Sequence, residues 1–182
     1  MADKELIKTP KKIEVTDGLR WVVLRTKARA EKKLAEYCER RSILNFLPLR
    51  RSIKRYEKRV AEFTVPLFTG YLFAQIKVDD EPILNRSTYL ANIIRPDRIA
   101  ELQLVNELNE VKCLIEAALD GAIVVRPEIE IGKTVYIKSG PLGGLNGIVT
   151  RWKTKTRITV NVEMIGQSVV MEVDASEVEL DI

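Results

Sequence analysis

The stretch from Ile131 to Val149, IGKTVYIKSGPLGGLNGIV, constrains the fold of this 182-residue chain more than any other. Val135 and Ile137 alternate with Thr134, Tyr136 and Lys138, the period of a half-buried strand. Gly140-Pro141, Gly143-Gly144 and Gly147 follow. Glycine tolerates positive φ, and proline presets a turn. Four of the nine glycines crowd into these eight residues, so the stretch specifies one backbone path of strand, tight turn and strand. It carries neither a catalytic acid nor a metal ligand.

This stretch resembles the KOW motif, a small five-stranded SH3-like barrel found in transcription elongation factors and some ribosomal proteins. The rest of the second half agrees. After about residue 129 the pattern predicts strands only, at 133–138, 147–152, 157–163 and 168–173. Ile158, Val160 and Val162 there alternate with Arg157, Thr159, Asn161 and Glu163. Before residue 120, strands and helices are mixed. Strands are expected at 19–25, 43–50, 67–78 and 89–95. A helix over 28–41 has Ala30, Leu34, Tyr37 and Cys38 on its buried stripe and Glu31, Lys32, Glu36 and Glu39 on its wet face. Asp79-Asp80-Glu81-Pro82 opens a short helix with an acidic cap and a proline in its first turn. From 100 to 119, Leu104, Leu108, Val111, Ile115 and Ala118 step by three and four, as on an amphipathic helix. The change of class marks a boundary between two domains, with a linker over 121–128. Residues 1–18 read as a polar, mobile tail.

Charge distribution says more than the net charge of +4. Arg50, Arg51, Lys54, Arg55, Tyr56, Lys58 and Arg59 crowd one segment, expected as a loop or hairpin arm. That segment has two readings: phosphate contacts with Tyr56 stacking on a base, or a solvated basic loop. The last twelve residues carry five carboxylates and no base, so the two ends of the fold should differ in potential. There is no histidine, which removes the commonest general base and metal ligand. No nucleophile elbow, phosphate-binding glycine loop or Cys-x-x-Cys occurs. An enzyme is therefore not expected, and no cofactor is implied. Cys38 and Cys113 both lie in helical patterns and read as two buried thiols. No apolar run reaches the roughly 18 residues that span a bilayer. With no secretion-type apolar stretch near the start, a cytoplasmic monomer without membrane contact is expected.

Three segments together resemble the NusG family of transcription elongation factors, which includes RfaH-like and polysaccharide-operon antiterminators. LRWVVLRTKARAEKKL (19–34) resembles the family's opening strand and helix, with Trp21-Val22 where a Trp-Tyr pair is usual. VPLFTGYLFAQI (65–76) resembles its Pro-x-Phe-Pro-Gly-Tyr strand, with Thr69 in place of the second proline. The third is the glycine-rich segment with MIGQSVVMEVDASEVEL (164–180), which resembles the closing strands of the KOW domain. The segment 40–73 is more similar to specialised bacterial paralogues than to the housekeeping factor.

The resemblance implies an α+β chain. A NusG-type N-terminal α/β sandwich (19–120) would bind the largest subunits of RNA polymerase, and a KOW SH3-like barrel (129–182) would recruit a partner. It carries over Trp21, Val23, Phe68 and Tyr71 as the apolar face on the polymerase clamp helices. Arg86, Ser87 and Thr88 become the gate-loop contact. In the barrel, Ile165 before Gly166 would meet a small-subunit ribosomal protein or Rho. Upstream or non-template DNA is the expected nucleic acid for the basic arm. The alternative is an SH3-like RNA-binding protein of the ribosome, which would explain the glycine motif and the arm but not segments 19–34 and 65–76.

Overall fold

The structure, a computed structural model, describes residues 10–56, 59–117, 123–127, 134–136, 146–148 and 156–173. Its centre is an antiparallel sheet. β1 (Arg20–Thr26) lies between β5 (Tyr71–Ile76) and β6 (Leu90–Ile94), and β2 (Leu44–Phe46) flanks β5. α1 (Glu31–Glu39) and α2 (Asp80–Asn85) cover one face, and α3 (Arg98–Ala117) covers the other. Helices on both faces explain the unbroken apolar run of β1. Trp21 and Val23 pack with Phe46, Phe73 and the α3 residues Leu104, Leu108 and Val111. Val22 and Leu24 pack with Leu72 and Ala74 and with Leu34, Ala35 and Cys38 of α1.

The α3 anchor is polar. Glu101 is fully buried, accepts the Trp21 backbone N–H at 2.8 Å and pairs with Arg20 Nε at 2.8 Å. β6 begins to pair with β1 only at Val23, so this carboxylate takes the amide that the sheet leaves over.

A second antiparallel unit, the hairpin of β3 (Leu49–Tyr56) and β4 (Arg59–Pro66), carries the basic segment. The expected strand over 43–50 is thus two strands. They part at Pro48, whose carbonyl accepts the Leu67 N–H at 2.7 Å. The strand expected from residue 67 starts at Tyr71, because Gly70 turns with φ +86°. The helix expected over 28–41 spans Glu31–Glu39.

Residues 10–18, expected as a mobile tail, are strapped onto this domain. Ile13 is buried, and its carbonyl accepts Asn109 Nδ2 at 2.7 Å. The Glu14 carbonyl accepts both Trp21 Nε1 and Gln75 Nε2, each at 2.9 Å. Two apolar anchors, Pro10 and Ile13, among lysines make no periodic pattern, so sequence periodicity misses them.

In the second half, β7 (Ile123–Pro127), β10 (Thr156–Val162) and β11 (Gln167–Val173) form a sheet in the order β10-β11-β7. β8 (Thr134–Tyr136) pairs with β9 (Asn146–Ile148). The expected linker therefore contains a strand, β7, added to the edge of β11. A 3₁₀ turn (Glu163–Ile165), absent from the all-strand expectation, joins β10 to β11. Gly166 caps it at φ +59°, donating its N–H to the Glu163 carbonyl at 3.0 Å. The turn packs back on the first half: Val162 and Val169 are buried in the α3-side core, with Met164 and Ile165 against it. Residues 140–144 lie outside the described residues.

Candidate nucleic-acid interface

The outer face of α1 presents Lys33, Glu36 and Tyr37, and the turn after it adds Arg40 and Arg41, at spacings of three and four. With Tyr89, which precedes β6, they line a cleft of about 330 Å³. Tyr37 is held through its ring hydroxyl and Tyr89 through its backbone. The Tyr37 hydroxyl donates to the Ile83 carbonyl at 2.8 Å, tying α1 to α2. The Tyr89 N–H donates to Ser87 Oγ at 3.2 Å, and its carbonyl accepts the Lys27 N–H at 2.9 Å. The cations lie on the rings. The Arg41 guanidinium is 3.5 Å from the Tyr37 centroid, and Lys33 Nζ is 5.9 Å from that of Tyr89. Arg41 also donates to the Tyr37 carbonyl at 3.2 Å. Glu36 stands 3.8 Å from Arg40, and both are partly solvated, so that pair is weak.

The hairpin continues this basic surface. Lys32 Nζ of α1 donates to Thr64 Oγ1 of β4 at 3.1 Å. Arg50 and Arg51 are exposed near the hairpin base, and Arg51 is 3.4 Å from Glu62 across the strands. Lys54, Arg55, Tyr56 and Arg59 lie on the hairpin strands, but their side chains, and all of Lys58, are outside the described residues.

The other sequence-predicted positions are distributed differently. Trp21, Val23 and Phe68 have no exposed surface. Phe68 meets Phe73 edge-on, with centroids 6.0 Å apart. Tyr71 is half-buried against the same cluster. Arg86 and Thr88 are exposed, whereas Ser87 is buried and braces Tyr89. Ile165 packs into the α3-side core.

Two assignments need correction. Glu31, expected on the wet face of α1, is buried and accepts the Gly70 N–H at 2.7 Å. It locks the turn before β5 to the helix. Cys113, expected to be buried, is exposed, since α3 turns that side away from the sheet. Cys38 is buried, and burial pushes its thiol up to about 12, which leaves it inert as a nucleophile.

Residues 19–116, more than half of the chain, match the family model described as transcription termination factor NusG. The chain belongs to the NusG family. No curated protein matches it. The NusG match spans β1 through nearly all of α3, so cleft and hairpin both lie within the family's domain. Among the described residues no helix is long and apolar enough to cross a membrane. A sequence signal for the cleft exists in Lys33, Tyr37 and Arg41 at i, i+4 and i+8. Apolar periodicity alone places Tyr37 on the buried stripe, and Tyr89 joins only through the fold.

Proposed function

We propose that this NusG-family protein is a cytoplasmic, non-enzymatic elongation factor that binds RNA polymerase and modulates pausing, termination or antitermination. On this reading the α1 cleft and the β3–β4 hairpin lie along upstream or non-template DNA. The observation that carries it is the pairing of the anchored Tyr37 ring with Arg41 and of the Tyr89 ring with Lys33, continued by Lys32 into a basic hairpin. The Arg41 guanidinium stacked on Tyr37 and the Tyr89 ring offer planes for unstacked bases beside cations for phosphates, without a sequence requirement. Tyr71 is the one apolar-face candidate with accessible surface, so the polymerase contact centres on it, with Trp21, Val23 and Phe68 shaping the face from beneath. The C-terminal strands complete a KOW barrel that recruits a ribosomal protein or Rho through Ile165 and Gly166. Similarity of 40–73 to specialised paralogues favours an operon-directed role.

Binding to a reconstituted elongation complex across a salt series tests this. Changing Lys33, Arg40 and Arg41 to glutamate should lower affinity and reduce the log–log salt slope by about one for each phosphate left without its cation. Tyr37→Ala should weaken binding without altering the slope, because stacking on a base releases no counterion. An unchanged slope in the triple variant would remove the cleft from the interface. Co-purification with ribosomal RNA in place of polymerase would favour the ribosomal alternative.

A further inference from the structure

The α1 cleft holds one group that a plain phosphate site has no use for. Lys33, Arg40 and Arg41 make the cleft cationic, yet Glu36 also lines it. Among the described residues the ion pair of Glu36 is with Arg40, whose Nη2 stands 3.8 Å from Oε2, beyond hydrogen-bond range. Both side chains reach solvent, so a better donor can displace Arg40 from the carboxylate. A carboxylate repels a phosphate placed beside it. A ligand that fills the whole cleft therefore needs an anionic part for the cations and a donor edge for Glu36. The volume of about 330 Å³ is at the lower end of ligand-binding clefts, roughly 300–1,000 Å³, and suits a single nucleotide.

We propose that this cleft selects a guanine nucleotide: the base stacks on Arg41, its Watson–Crick edge meets the Glu36 carboxylate, and the cations are left for its phosphate. The stacking plane is the Arg41 guanidinium, 3.5 Å from the Tyr37 centroid. Stacking alone is indifferent to the base, and Glu36 is not. Guanine carries two neighbouring donors, N1–H and the N2 amino group. They match the two oxygens of one carboxylate, as an arginine fork does. Adenine and cytosine set a ring-nitrogen acceptor beside their amino donor, and uracil and thymine flank their one N–H with two carbonyl oxygens. Each of those acceptors would face a carboxylate that has only lone pairs to offer. The inference rests on the cleft being a nucleotide site, as the DNA reading also requires, and adds the base that is read. A free guanine nucleotide and a guanosine within a single strand present the same chemistry.

Titration of the full chain with GMP, AMP, CMP and UMP at fixed ionic strength, followed through the Tyr37 and Tyr89 ring signals by NMR, tests the selection. The four ligands carry the same phosphate and differ only in the base. GMP should bind about tenfold tighter than the other three, in the lower part of the range for a bidentate base contact because the cleft is open to solvent. Glu36→Gln should abolish that preference and bring AMP level with GMP or above it, since an amide both accepts and donates and so pairs with adenine. Arg41→Ala should weaken all four and keep their order. Comparing GMP with a thymine–guanine–thymine deoxytrinucleotide separates the two sources. Tighter trinucleotide binding assigns a guanosine within a strand, and tighter GMP binding assigns the free nucleotide. The proposal is overturned if GMP does not bind, if the four mononucleotides bind alike, or if the guanine preference survives Glu36→Gln. Should that happen while charge reversal of Lys33, Arg40 and Arg41 still reduces the salt slope, the DNA reading stands without it. Guanine selection alongside an unchanged slope would remove the cleft from the DNA path and leave this inference standing.

Discussion

The two long-range neighbours of the central sheet, α1 and α3, differ in what they turn outward. α1 and the turn after it show Lys32, Lys33, Tyr37, Arg40 and Arg41 to solvent alongside Glu36 and Glu39, and α1 buries its sheet-side carboxylate, Glu31, against a backbone amide. α3 is rich in carboxylates: Glu101 is buried at its first turn, Glu107 is half-buried beside the 3₁₀ turn at the seam with the C-terminal strands, and Glu110 is exposed. The same sheet thus separates a more basic face from a more acidic one. Association with DNA is steered by such potentials at a distance of about a Debye length, roughly 8–10 Å in physiological salt. On the proposed reading, nucleic acid on the α1 face and the C-terminal strands on the α3 face would not compete for one surface.

The largest effect is expected in the α3-side core. Phe68→Ala should destabilise the protein by about 3–5 kcal/mol, since the ring is fully buried beside Phe73. Tyr71→Ala, at a half-buried position, should cost far less while lowering polymerase affinity. Urea denaturation of both variants checks the ordering. A Phe68→Ala protein as stable as the parent would mean that the ring belongs to a docking face and not to the core.

Next comes the polar anchor of α3. Glu101→Leu removes the acceptor of the Trp21 N–H and the partner of Arg20. An unsatisfied buried amide costs about 1–3 kcal/mol, so the urea midpoint should fall by a corresponding amount. Glu101→Gln keeps an acceptor oxygen and should lose less. Equal losses would show that charge, and not the hydrogen bond, holds α3 on β1.

In α1 and the turn after it, reversing Lys33, Arg40 and Arg41 should cost about 1 kcal/mol, because Arg41 leaves the Tyr37 ring, Arg40 leaves Glu36 and new carboxylates stand at the helix C-terminus. Reversal of Arg98 on α3 should not change the salt slope of elongation-complex binding. A matching slope change from Arg98 would dissolve the division into two faces.

How far the sequence disclosed all this depended on periodicity. β1, β5, β6 and α3 were legible because apolar residues repeat there at strand or helix spacing. The NusG match over 19–116 bears out the family that segments 19–34 and 65–76 resemble. The hairpin arm was legible from charge between two strand patterns. Three things were not. Ile13 and Pro10 anchor the strap as isolated residues, below the reach of any periodic test. Glu31 and Glu101 are buried carboxylates, which a pattern reader sends to the surface, and only the fold supplies their amide partners. The cleft needs Tyr89, which lies 52 positions beyond Tyr37 in the sequence and reaches it through the turn after α2.

The smallest expected effect concerns the clasp between α2 and the end of β6. Arg95 donates to Glu81 through Nε at 2.8 Å and Nη2 at 2.5 Å, a bidentate pair. The hydrogen bonds from Arg95 hold the Glu81 carboxyl below its usual range. A carboxylate whose pKa is lowered on folding adds stability that is complete above its unfolded value and is lost as pH falls through the folded one. Arg95 stays charged throughout, so the acid limb belongs to Glu81. Both side chains are partly solvated, at 52% and 30% exposure, so screening reduces the pair to roughly 0–1 kcal/mol. Glu81→Gln should therefore lower stability slightly at neutral pH and not at all in acid, where the parent has lost the same contribution. Because the clasp supports the segment that leads through Ile83 to Tyr37, the variant should also soften the α1 cleft without touching the α3 seam. Thermal midpoints of parent and variant that stay equally far apart from neutral to acid pH would show that the clasp acts by packing and not by charge.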